Sequence, residues 1–387
     1  VDGTTRIPGN VTAAHVSSTI RNIQNMAKLG MATLSSITDI PNQVAELKYQ
    51  GVNRFKGYSI ALENLFKGRG MKKSDRRAVA QMLGVGMDGI IGNTISRFSS
   101  DDLTPGMFAK AQQAYFKLNL LSPWTDSHRV GSSLMMSRHL AMQADRTFEK
   151  LDPHTKRILE IYDMGKLEWE NVISKAIYKG KDGQKYIVTD MIENLDDATI
   201  LSYLKQKEPL IKKHSKSKIN RERDRLVSSL AAYYIDRADF AVPMPSAYER
   251  AFMNRGTQDG TALGIAARLF WQFKSFPVTV LHKSLGREIY GHGASSFKEG
   301  LLKGKASYTG MAHFIVSTSL LGYLSLYLKD IARGKEPRQF NDDLAHNIKI
   351  ISAAMAQGGG LGLYGDFLFG SYNKYGGTAL ATLMGPT

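Results

Sequence analysis

The stretch from Arg268 to Arg287, RLFWQFKSFPVTVLHKSLGR, places aromatic, aliphatic and basic residues around one proline. Its apolar residues recur at the three- and four-residue spacing of an amphipathic helix, which predicts a helix over about 260–290. Pro277 has no amide hydrogen to donate, and its ring crowds the preceding turn. The helix is therefore predicted to bend at Pro277, or to end there and restart.

The same stretch predicts a packing site with a basic edge. Its first half holds too many aromatic side chains for one solvent-facing helix, so we expect another part of the chain or a neighbouring subunit to cover them. The residues predicted to pack are Phe270, Trp271, Phe273, Phe276 and Pro277. The predicted basic edge comprises Arg268 and Lys274 at the rim, with Lys283 and Arg287 on the exposed side of the second half. The alternative is an ordinary core helix whose basic ends extend along apolar surface to water.

Helical patterning continues over most of the chain, which predicts a mainly α fold, an elongated assembly of several helices. The clear strand signal is YKGKDGQKYIV, in which Asp182 and Gly183 predict the turn of one small β-hairpin near 177–189. Composition and helix-breaking residues indicate four regions. These are a helical region at 1–150, a helical region with the hairpin and a long basic helix at 151–240, the kinked aromatic and basic helix region at 241–305, and an apolar helix with a glycine-rich tail at 306–387.

The composition points to an anionic partner. The 387 residues include 51 Lys and Arg against 35 Asp and Glu, which gives a formal net charge of +16. Such a balance is typical of proteins that bind nucleic acid, an acidic membrane surface or an acidic protein, and the alternative is a basic surface without a partner. The sequence contains no cysteine, which excludes disulfide scaffolds, thiolate metal sites and cysteine nucleophiles. The chain begins at Val1 without a signal peptide, so we expect a fragment of a longer polypeptide or a processed product.

A long uncharged run extends from Ala306 to Leu328, with lysines just before it and basic residues just after it. At about 1.5 Å per residue, a helix of this length spans roughly 34 Å, enough to cross a bilayer core. Several serine and threonine residues reduce its hydrophobicity, so a buried core helix is the alternative. The residues predicted to be membrane-active are Met311, Phe314, Leu320, Leu321, Leu324 and Leu328.

The strongest local charge bias is KQKEPLIKKHSKSKINRERDR, from Lys205 to Arg225, with nine basic and three acidic residues. A run of this kind predicts contacts with phosphates that weaken as salt concentration rises. The alternative is a solvated face of a long helix. The residues predicted to contact nucleic-acid phosphates are Lys212, Lys213, Lys216, Lys218, Arg221, Arg223, Arg225, Lys283 and Arg287.

Sequence patterns give no support for an enzyme. Two GxGxxG matches, at 84–89 and 360–365, lack the strand, turn and helix that a dinucleotide site requires. DDLAH, from Asp342 to His346, places two carboxylates one turn from an imidazole, but no second group of metal ligands accompanies it. Neither HExxH nor GxSxG is present. We therefore expect no catalytic, cofactor or metal site in this chain, although the parent polypeptide has room for an enzymatic module elsewhere.

One long block resembles a known family. The stretch RDRLVSSLAAYYIDRADFAVPMPSAYERAFMNRGTQDGTALGIAARLFWQFKSFPVTVLHKSLGREIYG resembles a helical region near the C-terminal end of very large tailed-phage proteins. These are internal virion or ejection proteins, or polyvalent proteins injected with the genome. The similar features are Asp236 and Arg237 at a helix end, the pair Pro243 and Pro245, the RGTQDGT loop and WQFKSFP. The resemblance extends through KLGMATLSSITDIP, LNLLSPWTDSHRVGS and GGGLGLYGDFLFGSYNKYGG, and thus over most of the chain.

This resemblance implies a structural role in genome delivery. The chain is then a fragment of a phage internal virion (ejection) protein that oligomerises near the portal or tail channel and helps the genome cross the host envelope. The implied partners are other virion proteins, double-stranded DNA, the host inner membrane and further copies of the chain. The implied location is the virion interior, and after ejection the host envelope or cytoplasm. The alternative is an injected protein that binds and protects DNA without a channel role.

Overall fold

A computed structural model describes residues 7–28, 32–66, 78–79, 81–83, 114–115, 118, 121–211, 213–272 and 274–359. These residues are mainly helical with one small antiparallel sheet, so the predicted fold class is confirmed. The α-helices before the sheet are α1 (Val11–Lys28), α2 (Ala32–Ser35), α3 (Asp39–Tyr49), α4 (Arg54–Phe66), α5 (Leu121–Ala141), α6 (Pro153–Ile161) and α7 (Lys166–Asn171). The sheet comprises β1 (Ile177–Lys179) and β2 (Lys185–Ile187).

The remaining helices follow the sheet. They are α8 (Thr189–Glu193), α9 (Asp197–Lys207), α10 (Lys216–Ala241), α11 (Ala247–Asn254), α12 (Ala262–Trp271), α13 (Ser275–Thr279), a π-helix (Val280–Leu285), α14 (Gly286–Tyr290), α15 (Phe297–Leu302), α16 (Tyr308–Ala332) and α17 (Leu344–Gly358). Short 3-10 turns lie at Ser36–Thr38, Phe148–Lys150 and Ile173–Lys175.

The chain forms two compact units, each assembled from separated stretches. Unit 1 combines residues 1–42, 91–125 and 242–387, and unit 2 combines residues 43–90 and 126–241. The two units do not coincide with the four regions indicated by composition, because residues of the 1–150 region belong to both units.

Unit 2 has an apolar core of the kind expected in water. Its largest fully buried side chains include Trp169, Tyr203, Tyr233 and Tyr234, and they belong to one continuous apolar cluster. The buried tyrosines keep hydrogen-bond partners: the Tyr234 hydroxyl donates to the Ile187 carbonyl oxygen at 2.7 Å. Burial of these aromatic side chains is therefore not offset by unpaired hydroxyl groups.

The predicted hairpin lies in unit 2 and has the predicted turn. Strand β1 pairs antiparallel with β2, with Ile177 opposite Ile187. Gly183 has φ of +77°, a left-handed conformation that glycine adopts without the steric penalty of a side chain. The Asp182 carboxylate accepts hydrogen bonds from the Gln184 amide at 3.1 Å and the Tyr186 hydroxyl at 2.7 Å. The Asp-Gly dipeptide therefore forms the turn, and the Asp182 carboxylate links the turn to strand β2.

A buried ion pair joins α3 to α10 within unit 2. Arg237 donates from Nε to Glu46 Oε1 at 2.7 Å and from Nη2 to Glu46 Oε2 at 2.5 Å. The guanidinium lies 4.1 Å from the centre of the Phe240 ring, and Gln50 donates to the same carboxylate at 2.7 Å. The pair therefore neutralises both charges inside the core of unit 2.

In unit 1, the helix predicted over 260–290 ends and restarts near its proline, as expected. Helix α12 ends at Trp271 and α13 begins at Ser275, so Pro277 occupies the first turn of α13, where a missing amide donor breaks no helical hydrogen bond. The π-helix follows directly, and Ser284 within it donates from Oγ to Asn42 Oδ1 at 2.6 Å. The break therefore lies about one turn before the proline.

Candidate membrane interface

Helix α16 has the length and composition of a membrane span. Its 25 residues extend about 37 Å at the usual helical rise. Among the described residues it is the one helix long and apolar enough to cross a bilayer, and only 28% of its most apolar window is buried. The core helix of a soluble protein would be mostly buried. Helix α16 is thus not enclosed on all sides by the described residues.

The apolar side chains of α16 are largely on its exposed side. Leu320 is 65% exposed and Leu324 is 41% exposed. Val316 and Ile331 are exposed as well, at the spacing of one helix face. Of the other residues predicted to be membrane-active, Phe314 is buried, and Met311, Leu321 and Leu328 are half-buried. The six residues thus lie on one helix but do not share one face of it, and their contact with a membrane stays a prediction.

The buried side of α16 consists mainly of small and polar residues. Thr318, Gly322 and Ser325 are buried there against α17. A Cβ atom at Gly322 would lie 2.1 Å from the carbonyl oxygen of Ala354, and one at Gly358 would lie 2.1 Å from that of Thr318. The two backbones therefore approach as closely as in membrane helix pairs, where small residues replace large apolar ones at the contact.

Helix α17 repeats this arrangement. Leu344, Ile348 and Ile351 are exposed, whereas the buried side has the small residues Ser352, Ala353, Ala354 and Gly358 together with one large apolar residue, Ile350. We call a helix inverted when it exposes an apolar face and buries a face of small or polar residues. Helices α16 and α17 together form an inverted hairpin.

Polar contacts hold the loop and the C-terminal end of α16 in this hairpin. Arg338 in the loop lies 3.1 Å from Asp330 Oδ2, measured from Nε. The Tyr323 hydroxyl donates to the Arg338 carbonyl oxygen at 2.7 Å. The Lys329 ammonium donates to Ser35 Oγ at 2.6 Å and to Gln357 Oε1 at 2.8 Å. The hairpin thus has specific partners at its polar end.

Inversion extends beyond the hairpin to the rest of unit 1. Among the described residues of unit 1, buried polar or charged residues outnumber buried apolar residues by about two to one. In unit 2 the ratio is reversed, and few large apolar side chains are exposed. Unit 1 therefore combines a polar interior with exposed apolar helix faces, and unit 2 does not.

The prediction that the 268–287 stretch has an exposed basic edge is wrong. Arg268, Lys274, Lys283 and Arg287 are all buried, between 3% and 6% exposed. Unit 1 supplies polar partners for them: Lys274 Nζ donates to the Phe270 carbonyl oxygen at 2.7 Å. Arg287 Nε similarly donates to Glu288 Oε1 at 3.2 Å.

The aromatic residues of this stretch are only half-buried. Phe270 and Trp271 stack edge to face with ring centres 5.0 Å apart, and Phe252 lies 5.8 Å from Trp271. Phe276 is also half-buried. Phe273 and the side chain of Pro277 lie outside the described residues. The aromatic side of the stretch is thus only partly covered and its basic side faces inward, and its role in packing or assembly stays a prediction.

The basic run of 205–225 is largely paired within unit 2. Lys218 bonds Glu208 at 2.8 Å, and Arg223 bonds Asp197 at 2.5 Å. Arg225 bonds Glu222 through Nε at 2.7 Å. Lys213, Lys216 and Arg221 are exposed, with no ion pair among the described residues, and Lys212 lies outside them. The surface offered to phosphates is thus smaller than the sequence suggests.

An open cavity of about 440 Å³ in unit 2 is lined by both signs of charge, including Glu160, Glu168, Lys207 and Arg225. Lys207 donates to Glu222 Oε1 at 2.6 Å. Burial opposes ionisation of Glu222, but hydrogen bonds from Lys207 and Arg225 outweigh it and lower its pKa to about 2. The basic groups of the cavity are thus engaged by carboxylates of the same unit, which gives the cluster a structural role.

No group of three or more metal-binding side chains exists among the residues that the structure describes. Asp343 instead caps α17 by accepting from the Ala345 amide at 2.9 Å, and His346 Nε2 lies 3.1 Å from the Gln339 carbonyl oxygen. Both GxGxxG matches lie outside the described residues.

Sequence reasoning missed the small-residue contact between α16 and α17. The available signal was the four-residue spacing of small residues within each apolar segment. Thr318 and Gly322 have this spacing in α16, and Ala354 and Gly358 have it in α17. No family model, curated protein or solved structure matches the chain.

Proposed function

We propose that this chain is part of a tailed-phage ejection protein whose α16–α17 hairpin enters the host membrane during genome delivery. In this proposal the chain oligomerises with other copies near the portal or tail channel and acts as a structural component. It performs no catalytic step.

The observation that supports this proposal best is the inverted hairpin. Transfer of exposed apolar side chains from water to hydrocarbon stabilises the inserted state by about 25 cal/mol per Å² of apolar area. The small residues between the helices remain in contact during such a transfer, because they face α17 rather than solvent. A hairpin of this construction gains free energy in a bilayer through its exposed apolar side chains and keeps the contact between its two helices.

The basic residues before and after α16 also support its insertion into lipid. Lys303 and Lys305 precede α16, and Arg333 and Lys335 follow it. Basic side chains at the ends of a span favour positions beside the headgroups, where their ammonium and guanidinium groups remain hydrated.

The alternative, an injected protein that coats DNA, draws its support from the basic run. Internal pairing of Lys218, Arg223 and Arg225 reduces that support. The exposed trio Lys213, Lys216 and Arg221 remains as its testable basis. We therefore favour the membrane role over the DNA-coating role.

Vesicle flotation tests the proposal. We expect the full chain to float with vesicles of phosphatidylethanolamine and phosphatidylglycerol and to release an entrapped dye. The variant Val316→Ser/Leu320→Ser/Leu324→Ser removes exposed apolar groups from α16 and should reduce both effects. Its matched control, Phe55→Ser/Met142→Ser/Ile161→Ser, removes exposed apolar groups from unit 2 and should behave as the unchanged chain. Failure of the unchanged chain to float would exclude the proposal.

A further inference from the structure

Helix α1 is inverted as well, although it is far from the hairpin in sequence. Val16, Ile20 and Ile23 are 55%, 47% and 48% exposed. Ser17, Ser18, Arg21 and Asn22 are at most 8% exposed. The helix therefore places its polar face in unit 1 and its apolar face outward, the opposite of a helix on a water-soluble core.

A hydrogen bond from Gln272 holds α1 in this orientation, and a bond within the helix satisfies its buried arginine. Arg21 donates from Nη1 to Ser17 Oγ at 2.7 Å, and Gln272 donates from Nε2 to the Arg21 carbonyl oxygen at 3.0 Å. Both contacts are buried. Rotation of α1 to bury its apolar face would break the bond from Gln272, while the Arg21–Ser17 bond lies within α1 and would turn with it. The same rotation would bring the buried polar side chains of α1 to the surface. The outward apolar face is thus a stable feature of the fold.

We propose that α1 is a second lipid-contacting element, which lies in the headgroup–acyl boundary of an anionic bilayer through Val11, Val16, Ile20 and Ile23. This inference rests on the proposed membrane role of the hairpin. It extends that role to a helix whose sequence alone gives no membrane signal.

The composition of α1 favours an orientation parallel to the membrane surface. A helix with a strong apolar face and low overall hydrophobicity lies in the interface rather than across the bilayer. The buried Arg21 and Asn22 occupy the middle of α1, where a spanning helix would have to place them in hydrocarbon. An interfacial helix keeps them within the protein.

The surroundings of α1 in unit 1 favour lipid as the occupant. Helix α1 packs on α12, and α12 packs on α11. Helix α11 exposes Tyr248 and Phe252, at 64% and 53%, and α12 exposes Leu263, at 68%. Exposed aromatic side chains are characteristic of the membrane–water boundary, and unit 1 carries both of these. The net charge of +16 adds attraction to an anionic surface.

The absence of cysteine from the sequence allows a direct test with single labels. Full-length variants Ile20→Cys, Leu320→Cys and Ile161→Cys, each labelled with an environment-sensitive fluorophore, report on α1, on the hairpin and on unit 2. Vesicles contain lipids brominated near the headgroup or deep in the acyl chain. We expect the label at position 20 to be quenched mainly by shallow bromine and that at position 320 mainly by deep bromine. The label at position 161 should respond to neither.

A second variant measures the contribution of α1 to affinity. Val16→Ser/Ile20→Ser/Ile23→Ser should lower the vesicle partition coefficient by about tenfold or more, since three half-exposed apolar side chains are lost. Near-ultraviolet circular dichroism establishes that the variant remains folded, and the unit 2 triple variant described above is the control.

The outcomes separate this inference from the proposed function. Quenching at position 320 without quenching at position 20 would overturn the role of α1 and leave the hairpin proposal intact. No quenching at either position would overturn both. Concentration-dependent self-quenching at position 20 without vesicles, unchanged when vesicles are added, would mean that a second copy of the chain covers the stripe, and would overturn lipid as the occupant.

Discussion

At the scale of single residues, the buried pair Glu46–Arg237 has the clearest energetic consequence. Both side chains are almost completely buried, and two short hydrogen bonds join them. Removal of either partner leaves a buried charge without compensation, which typically costs about 3–5 kcal/mol. Arg237→Met should therefore lower the free energy of unfolding of unit 2 by about that amount in urea titrations.

The double variant Glu46→Gln/Arg237→Met provides the matched test of this explanation. It removes both charges and should recover part of the loss, because no unpaired ion remains. If the double variant is as unstable as the sum of the single variants, the loss comes from packing against Phe240 rather than from the charge.

Glu222 predicts how stability depends on acid. Its pKa is about 2 in the fold, against an ordinary value of 4.5. A carboxyl group with a depressed pKa stabilises the fold above its unfolded pKa, and this contribution is lost as the pH falls through the folded pKa. The stability of unit 2 should thus decrease between about pH 5 and pH 2, and the decrease should be smaller in Glu222→Gln.

Thermal unfolding measured at several pH values checks this expectation. Glu193→Gln, the same substitution at an exposed glutamate of unit 2, is the matched control. Equal slopes in the unchanged chain and in Glu222→Gln would mean that other carboxylates control the acid response.

At the scale of elements, the contact between α16 and α17 depends on Gly322. A side chain there would meet the Ala354 carbonyl oxygen and the Gly358 amide. Gly322→Val should therefore separate the helices or strain them, at a cost of about 1–3 kcal/mol typical of overpacking. Limited proteolysis of the 333–343 loop should be faster in this variant than in Ala312→Val, which adds bulk at an exposed position of α16. Equal rates would show that close approach is not what holds the hairpin.

The basic helix α10 offers a comparison between two lysines in its first turn. Lys216 is exposed, whereas Lys218 is paired with Glu208. If the chain binds duplex DNA, Lys216→Gln should reduce the salt slope by up to about 0.9 per lost phosphate contact, and Lys218→Gln by less. Filter binding at several salt concentrations distinguishes them. Equal effects would contradict the view that internal pairing removes Lys218 from the DNA-binding surface.

At the scale of the whole molecule, the features that the sequence could predict are those determined locally. Asp182 and Gly183 specify a turn within a few residues, and Pro277 restricts the helix that contains it. Helical periodicity likewise identifies α1 and α16, because apolar spacing shows that a face exists. It does not show whether that face points inward, since periodicity is the same for a core helix and for an inverted one.

The sequence pattern predicts the wrong exposure for several charged residues for a related reason. Lys283 and Arg287 were expected at the surface, because isolated charges are costly to bury. Their burial depends on partners that only the folded unit brings close. Lys329, for comparison, bonds Ser35, which is 294 residues away in the sequence. The small-residue contact between α16 and α17 depends in the same way on two segments meeting. These parts of the site are properties of tertiary packing.

Unit 2 has an apolar interior and unit 1 a polar one, so one solvent cannot solvate the exposed side chains of both units equally well. Water satisfies the exposed side chains of unit 2, whereas the apolar faces of unit 1 remain uncovered in it. We expect calorimetry in mild non-ionic detergent to resolve two transitions, of which only that of unit 1 shifts to higher temperature as micelles are added. A single transition that moves as a whole would contradict this. Engineering of the protein for solubility alone would therefore select changes in α1, α16 and α17, the helices on which its proposed work in the membrane depends.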